Sequence, residues 1–482
     1  MSFRAKCLQK ICTFRKSACK KSVFSEKNIA KKINQQYKLL MKRKLYNDLL
    51  EWKASMSRKP LLVKGARQVG KSYLLKKFGE KEFPCCHVFN FEQDKKLNQI
   101  FESDLLPHRI ITELSIYSEK KIDINNDLVI FDEIQECPEA ITSLKYFYED
   151  MPNLTLCCAG SLIGVKMSSG SFPVGKVNFL NLYPMTFEEF LMAANDKISL
   201  ELFNTALTCD LQSDIAHAKL WDRLKEYYMT GGMPKVVSSY LSNRESRFEA
   251  MNTARIIQQE LIEGYFKDFA KHSGKINSLH IVSVLENIPI QLSNNIKSSV
   301  KRYRFKKVIS HKKSFSDLQG PIDWLIKAGL IIKVKICNRA ELPLETFCKN
   351  NIFKLFLCDI GLLGSMLDLP PKAIISQDFG IAKGYFAENY VAQEFLAAGI
   401  SKLHSWSERN SEIEFLRVMG ENIIPIEVKS GTRTQAKSLG QFINKYSPEK
   451  AITLTGKSLN KAHGLKVNNY PLYLASKICD QI

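Results

Sequence analysis

The chain has 482 residues, 45% hydrophobic and 25% charged, enough material for about three domains with ordinary globular cores. Its formal charge is +21, and its apolar runs stop well short of the ~18 residues a membrane span needs, so a membrane-spanning class is excluded. Thirteen scattered cysteines, several inside apolar runs (Cys157, Cys158, Cys358), lack zinc-site spacing and read as small buried hydrophobes of a reducing cytoplasm.

Residues 1–44 hold fourteen Lys/Arg against one acid, Glu26, a net of +13 that leaves only +8 on the other 438 residues. This basic arm is expected to be disordered. It can touch nucleic acid or act as an organelle-targeting peptide; a plain tail or a misassigned start codon fits it too. It lacks a continuous apolar stretch, which argues against secretion.

A helix is expected over about Lys44 to Met56. The apolar run Pro60-Leu61-Leu62-Val63-Lys64 then reads as a buried parallel strand. Directly after it, Gly65-Ala66-Arg67-Gln68-Val69-Gly70-Lys71-Ser72 fits the pattern G-x-x-x-x-G-K-[ST]. Such a turn points successive backbone N–H groups into one concavity that suits phosphates. The Lys71 ammonium would reach the β/γ-phosphates of ATP, and the Ser72 hydroxyl would hold Mg²⁺. Tyr73 to Phe78 has helical spacing, with Gly79 expected as its stop.

Further strands are expected at His87–Phe91, Leu128–Asp132, Leu154–Ala159 and Val177–Leu182, alternating with helices. That rhythm predicts a parallel sheet covered by helices over residues 45–195. Asp132 closes its strand, where an acid can hold Mg²⁺ through water, and Glu133 can polarise the attacking water. Ser161 follows another strand at the edge where ligands of such sheets sit, a place from which it can sense a γ-phosphate.

From 196 to 275 the periodicity is helical, broken by Thr230-Gly231-Gly232-Met233-Pro234. Residues 276–345 have the helix–Gly–strand rhythm of a winged helix. The run Lys301-Arg302-Tyr303-Arg304-Phe305-Lys306-Lys307 has the composition of a phosphate-contacting surface for nucleic acid, or of a solvated face. In 346–482, a helix over Gly384–Ala397 precedes strands Glu412–Val418 and Ile423–Lys429, a helix over Ala436–Tyr446 and a strand at Ala451–Thr455. Glu412 and Glu414 share one face of their strand, as do Glu427 and Lys429 of the next. Clustered carboxylates beside an ammonium are the ingredients of a Mg²⁺-dependent phosphodiesterase, and equally of a half-exposed amphipathic sheet.

Together these motifs resemble the prokaryotic AAA-type ATPases with a C-terminal DUF4143-type, restriction-endonuclease-like domain. The resemblance rests on Val63 to Ser72, Phe131-Asp132-Glu133-Ile134-Gln135, Ala159-Gly160-Ser161, and Leu182-Tyr183-Pro184-Met185 through Phe190. It extends to Gly231-Gly232-Met233-Pro234, Lys354 through Leu363, and Pro425-Ile426-Glu427-Val428-Lys429-Ser430-Gly431. It implies an α/β fold with a RecA-like P-loop NTPase core, a helical lid, a winged-helix-like segment and a nuclease-like C-terminal domain. By carry-over, Lys71 and Ser72 take triphosphate and metal, Asp132 orders Mg²⁺, Glu133 activates water and Ser161 senses the γ-phosphate. Glu388, Glu412, Glu414, Glu427 and Lys429 mark a second site. The chain departs from the pattern at Lys176, where many members have Arg, and at Glu414, where Asp is frequent. The expected function is that of an ATP-binding, ATP-hydrolysing protein whose nucleotide state moves the C-terminal domain. The alternatives are a nucleotide-gated, DNA-associated regulator and an ATP-regulated Mg²⁺-dependent nuclease.

Overall fold

The computed structural model describes residues 41–161, 172–208, 213–294, 301–380, 382–431, 437–459 and 467–479. The expected basic arm lies outside them up to residue 40.

Helix α1 (Leu45–Ala54) leads to β1 (Leu61–Lys64), the phosphate-loop sequence and α2 (Lys71–Glu82). Gly79 does not stop α2 as expected; the helix runs three residues further. A Cβ there would lie 2.3 Å from the sulfur of Cys86, so the glycine lets α2 lie close on β2 (Cys86–Asn90), against its low helix propensity. Then follow α3 (Pro107–Tyr117), β3 (Leu128–Asp132), α4 (Pro138–Asp150), β4 (Thr155–Gly160) and β5 (Asn178–Asn181). The five strands form a parallel sheet in the order β2-β3-β4-β1-β5, each within one residue of its expected bounds. β3 and β4 are buried along their whole length, because helices cover both faces. The registers Lys64↔Gly160 and Asp132↔Ala159 bring the ends of β1, β3 and β4 to one edge. That edge carries the loop.

The next helices are α5 (Phe187–Ala193), α6 (Lys197–Thr205), α7 (Asp214–Thr230), α8 (Pro234–Ser242), α9 (Arg247–Ser273), α10 (Lys275–Asn294) and α11 (Phe315–Lys327). Strands β6 (Ile331–Cys337) and β7 (Cys348–Leu357) come next, then α12 (Ile360–Met366) and α13 (Ala382–Ala397). The chain continues with β8 (Leu403–Glu408), β9 (Ser411–Met419), β10 (Asn422–Val428), α14 (Lys437–Tyr446), β11 (Ala451–Thr455) and β12 (Val467–Pro471). One mixed sheet takes seven of these strands in the order β12-β11-β10-β9-β8-β6-β7. The expected winged-helix-like segment at 276–345 supplies α11 and β6. Its strand β6 pairs with β7 and β8, and the expected boundary at 346 cuts through one sheet. Periodicity marks a strand but not the partners that satisfy its backbone.

The two sheets share one apolar cluster, running from Leu61 and Val63 through Tyr227 and Tyr390 to Ile426 and Leu454. Buried polar groups fasten it. Asp359 accepts from Gly232 N at 2.5 Å and Leu362 N at 3.0 Å, and Gly232 O accepts from Met185 N at 2.7 Å. Tyr227 donates to Met185 O at 2.5 Å and receives a bond from Gln393 on α13. Glu394, one residue on, accepts from Phe187 N at 3.0 Å.

Burial pushes the Glu394 carboxyl up from 4.5 to about 8. An unfolded carboxyl ionises near 4.5 while this one keeps its proton until about 8, so its contribution to stability falls as pH rises through that window. Glu394→Gln keeps the acceptor for Phe187 and has no proton to lose. Its melting temperature is expected to fall less than that of wild type between about pH 5 and about pH 8, read by scanning fluorimetry.

Candidate nucleotide site

Three residues of the loop have left-handed backbone: Gly65 (φ 154°), Gln68 (φ 67°) and Gly70 (φ 96°). A Cβ at Gly65 would stand 2.1 Å from Leu182 O, so the tight exit from β1 admits no side chain. Lys71 opens α2 with its ammonium 2.9 Å from Gly65 O and 2.8 Å from Ala66 O. Burial pulls this ammonium down to about 8, against the nearby Glu133 and Asp132. Ser72 Oγ donates to Asp132 Oδ1 at 2.7 Å, and Asn90 Nδ2 to the other carboxylate oxygen at 3.1 Å. The hydroxyl and the strand acid are thus already paired where both could meet one cation.

Glu133 is held at φ 51°, unusual for a residue with a Cβ. Its Oε2 accepts from Gln135 at 2.6 Å and from Ser161 Oγ at 3.5 Å. Arg67 reaches from the loop to Ser161 and to α9. Its Nε donates to Ser161 Oγ at 3.3 Å and its Nη1 pairs with Asp268 of α9 at 2.7 Å. Loop, strand tips and α9 are joined through these side chains.

Among solved structures, the chain is similar to the Walker-type ATPase PABY2304 of Pyrococcus abyssi (16% identity over 68% of this chain and 96% of that one, TM-score 0.42). It is similar to the ORC1 protein of Aeropyrum pernix in complex with DNA (14%, 69% and 92%, 0.28). The RuvB Holliday junction branch migration motor of Thermotoga maritima is a third (14%, 65% and 89%, 0.27). No curated protein matches. Three family models do: an AAA domain over residues 57–191, DUF8612, a domain of unknown function, over 222–373, and DUF4143, another, over 383–473. The chain thus carries an AAA domain and, C-terminal to it, a DUF4143 domain. The seven-stranded sheet joins the last two matches, with β6 and β7 from one and β8 to β12 from the other.

The pocket beside the AAA domain's loop measures about 690 Å³, and several of its walls went unnoticed in the sequence. Met41 and Arg43 line it from the N-terminal side, Pro234 and Lys235 from the start of α8. Arg43 is buried. It donates to Val69 O in the loop at 2.7 Å and to Tyr183 O at 2.5 Å, and pairs with Glu189 at 3.1 Å. Lys44 pairs with Glu188 at 2.8 Å. Arg43 and Lys44, expected within the disordered arm, belong to the folded chain beside the site, their role masked by the like charges upstream in the sequence. The Gly-Gly-Met-Pro breaker was legible, but not its place at the pocket.

All five residues of the expected second site come together, Glu388 from α13, Glu412 and Glu414 from β9, Glu427 from β10 and Lys429 just after it, with two cations the sequence did not assign to it. Lys354 lies between Glu388 (3.3 Å) and Glu412, Lys301 beside Glu388 and 4.0 Å from Glu414, and Lys429 2.5 Å from Glu427. Burial would raise the Glu388 carboxyl, but Lys301 and Lys354 outweigh it and hold it at about 2. Burial and the neighbouring Glu427 push Glu414 up to about 8. Among the described residues no acid, His or Cys group has the arrangement of a metal site. Three ammoniums already neutralise these carboxylates, so they do not fit Mg²⁺. Lys354→Met should leave Glu388 and Glu412 without that compensation and destabilise the fold by about 3–5 kcal/mol, measured by denaturant unfolding.

The run 301–307 divides as well. Lys301 enters this cluster, while Tyr303 and Phe305 pack on Phe353 with ring centroids 6.2 and 5.8 Å away. Tyr303 is buried in the core and Phe305 half-buried against it.

Proposed function

We propose that this protein binds ATP with Mg²⁺ at the Gly65–Ser72 loop, hydrolyses it, and passes the nucleotide state to its C-terminal sheet. The 2.7 Å bond between Ser72 and Asp132, beside Lys71 and Glu133, carries the reading. Backbone N–H groups of the loop would cradle the phosphates, and the Lys71 ammonium would leave the Gly65 and Ala66 carbonyls to meet them. Ser72 would hold Mg²⁺ directly and Asp132 through water; the ion supplies neutralisation of charge developing on the β,γ-oxygens. Glu133 orients the water and takes its proton, and its strained backbone fits a reacting position. Ser161, held by Arg67, senses the γ-phosphate.

Steady-state phosphate release from ATP tests this. Wild type is expected to exceed Lys71→Ala clearly; equal rates would remove hydrolysis from the reading. A nuclease is not favoured, because lysines fill the acid cluster. No described helix is long and apolar enough to cross a membrane. All nine described cysteines are free, which supports a cytoplasmic place.

A further inference from the structure

A second cavity, of about 570 Å³, lies on the other side of the loop, between β1 and the pair β6–β8. Five lysines line it (Lys64, Lys327, Lys333, Lys335 and Lys402), against one carboxylate, Glu345. Their placement follows from register. Val334 pairs with Leu403 and Lys335 with His404 across parallel β6 and β8, which sets Lys333 beside Lys402. Lys333 and Lys335 alternate with buried Ile332, Val334 and Ile336, so both face the cavity side.

Glu345 is already shared by Lys335 at 2.5 Å and His404 at 3.2 Å. Lys64, Lys327, Lys333 and Lys402 have no described carboxylate within ion-pair distance. The Lys64 ammonium stands 3.6 Å over the Phe179 ring and that of Lys333 4.3 Å over the Phe353 ring. Burial lowers both from the usual lysine range. Asp323 and Glu345 act on Lys333 from beyond ion-pair distance, and cations gathered around one concavity repel one another.

We propose that this cavity binds the phosphodiester backbone of a single-stranded nucleic acid. The cations are spread along β6, the ends of α11 and β1, and the entry to β8, so they suit a line of phosphates better than one anion. Lys333 and Lys335 stand about 6.6 Å apart along their strand, close to the spacing of phosphates in an extended single strand. Gly65 and Ala66 form part of the cavity's wall, and Gly329 backs on them with its Cβ direction 3.3 Å from Ala66 N. Strand and nucleotide would thus lie on opposite sides of one loop. The site stands independently of hydrolysis.

The test is fluorescence anisotropy of a labelled oligothymidylate with the full chain, without nucleotide, over a range of salt. Wild type is expected to bind, and Lys333→Glu/Lys402→Glu to bind at least about tenfold more weakly. The milder Lys333→Gln/Lys402→Gln should flatten the log–log salt dependence by about 1.4, for two lost phosphate contacts. Lys306→Glu/Lys307→Glu, in the exposed basic run, should bind as wild type does. Unchanged affinity for a fluorescent ATP analogue shows that each variant is folded. The proposal is overturned if wild type does not bind, if the 306/307 variant loses binding while the cavity variants keep it, or if inorganic tripolyphosphate displaces the strand at equal phosphate concentration, which marks a site for free polyphosphate.

Discussion

Glu133→Gln is expected to bind ATP as wild type does and to turn it over about 10²- to 10⁴-fold more slowly. Glutamine has the same shape and keeps an oxygen for Gln135 and Ser161, so the pocket should survive the change. It cannot take a proton from water. Lys71→Ala should fail earlier, at binding, since it removes the one ammonium held inside the loop. Binding by a fluorescent ATP analogue and turnover by phosphate release separate the two effects. Because burial lowers the Lys71 ammonium to about 8, wild-type affinity should be full below that pH and weaken as pH rises through it. Wild-type turnover in Glu133→Gln would mean that another group handles the water, and the assignment of Glu133 would fall.

The sequence exposed this site because its chemistry is contiguous. Eight consecutive residues make the loop, and an uninterrupted apolar run marks the strand that Asp132 closes and Glu133 follows. Asn90 was hidden, since its partner Asp132 is met only through the pairing of β2 with β3. Arg43 was lost for the opposite reason: thirteen other cations of residues 1–44 suggested one solvated arm, and nothing local sets it apart. The C-terminal acids were found by strand alternation, but Lys301 reaches Glu388 across 87 residues of chain. Read without those cations, the acids pointed to a metal; read with them, to an internal ion-pair network. β6 shows the same limit for the fold, being recognisable as a strand while its neighbour β8 begins 66 residues farther on.

Gly232→Ala is expected to disconnect the two sheets while sparing the loop. A Cβ at this position would lie 2.1 Å from Met185 O, with backbone that has nowhere to move. The substitution must push the Leu182–Met185 segment or the start of α8 away and lengthen the bond to Asp359. Asp359→Ala approaches the same knot from the other side. It leaves the N–H groups of Gly232 and Leu362 buried without acceptors, at about 1–3 kcal/mol each. Two residues beyond Gly232, Pro234 and Lys235 line the nucleotide pocket, so a closure around ATP that moves them pulls directly on Asp359 and α12. In wild type, ATP should therefore slow amide exchange in residues 357–366, far along the chain from every phosphate contact. In Gly232→Ala, ATP should still protect the loop but no longer that segment. If protection there is unchanged in Gly232→Ala and Asp359→Ala alike, the coupling does not run through this knot; if ATP never protects it in wild type, the C-terminal sheet does not respond to nucleotide at all.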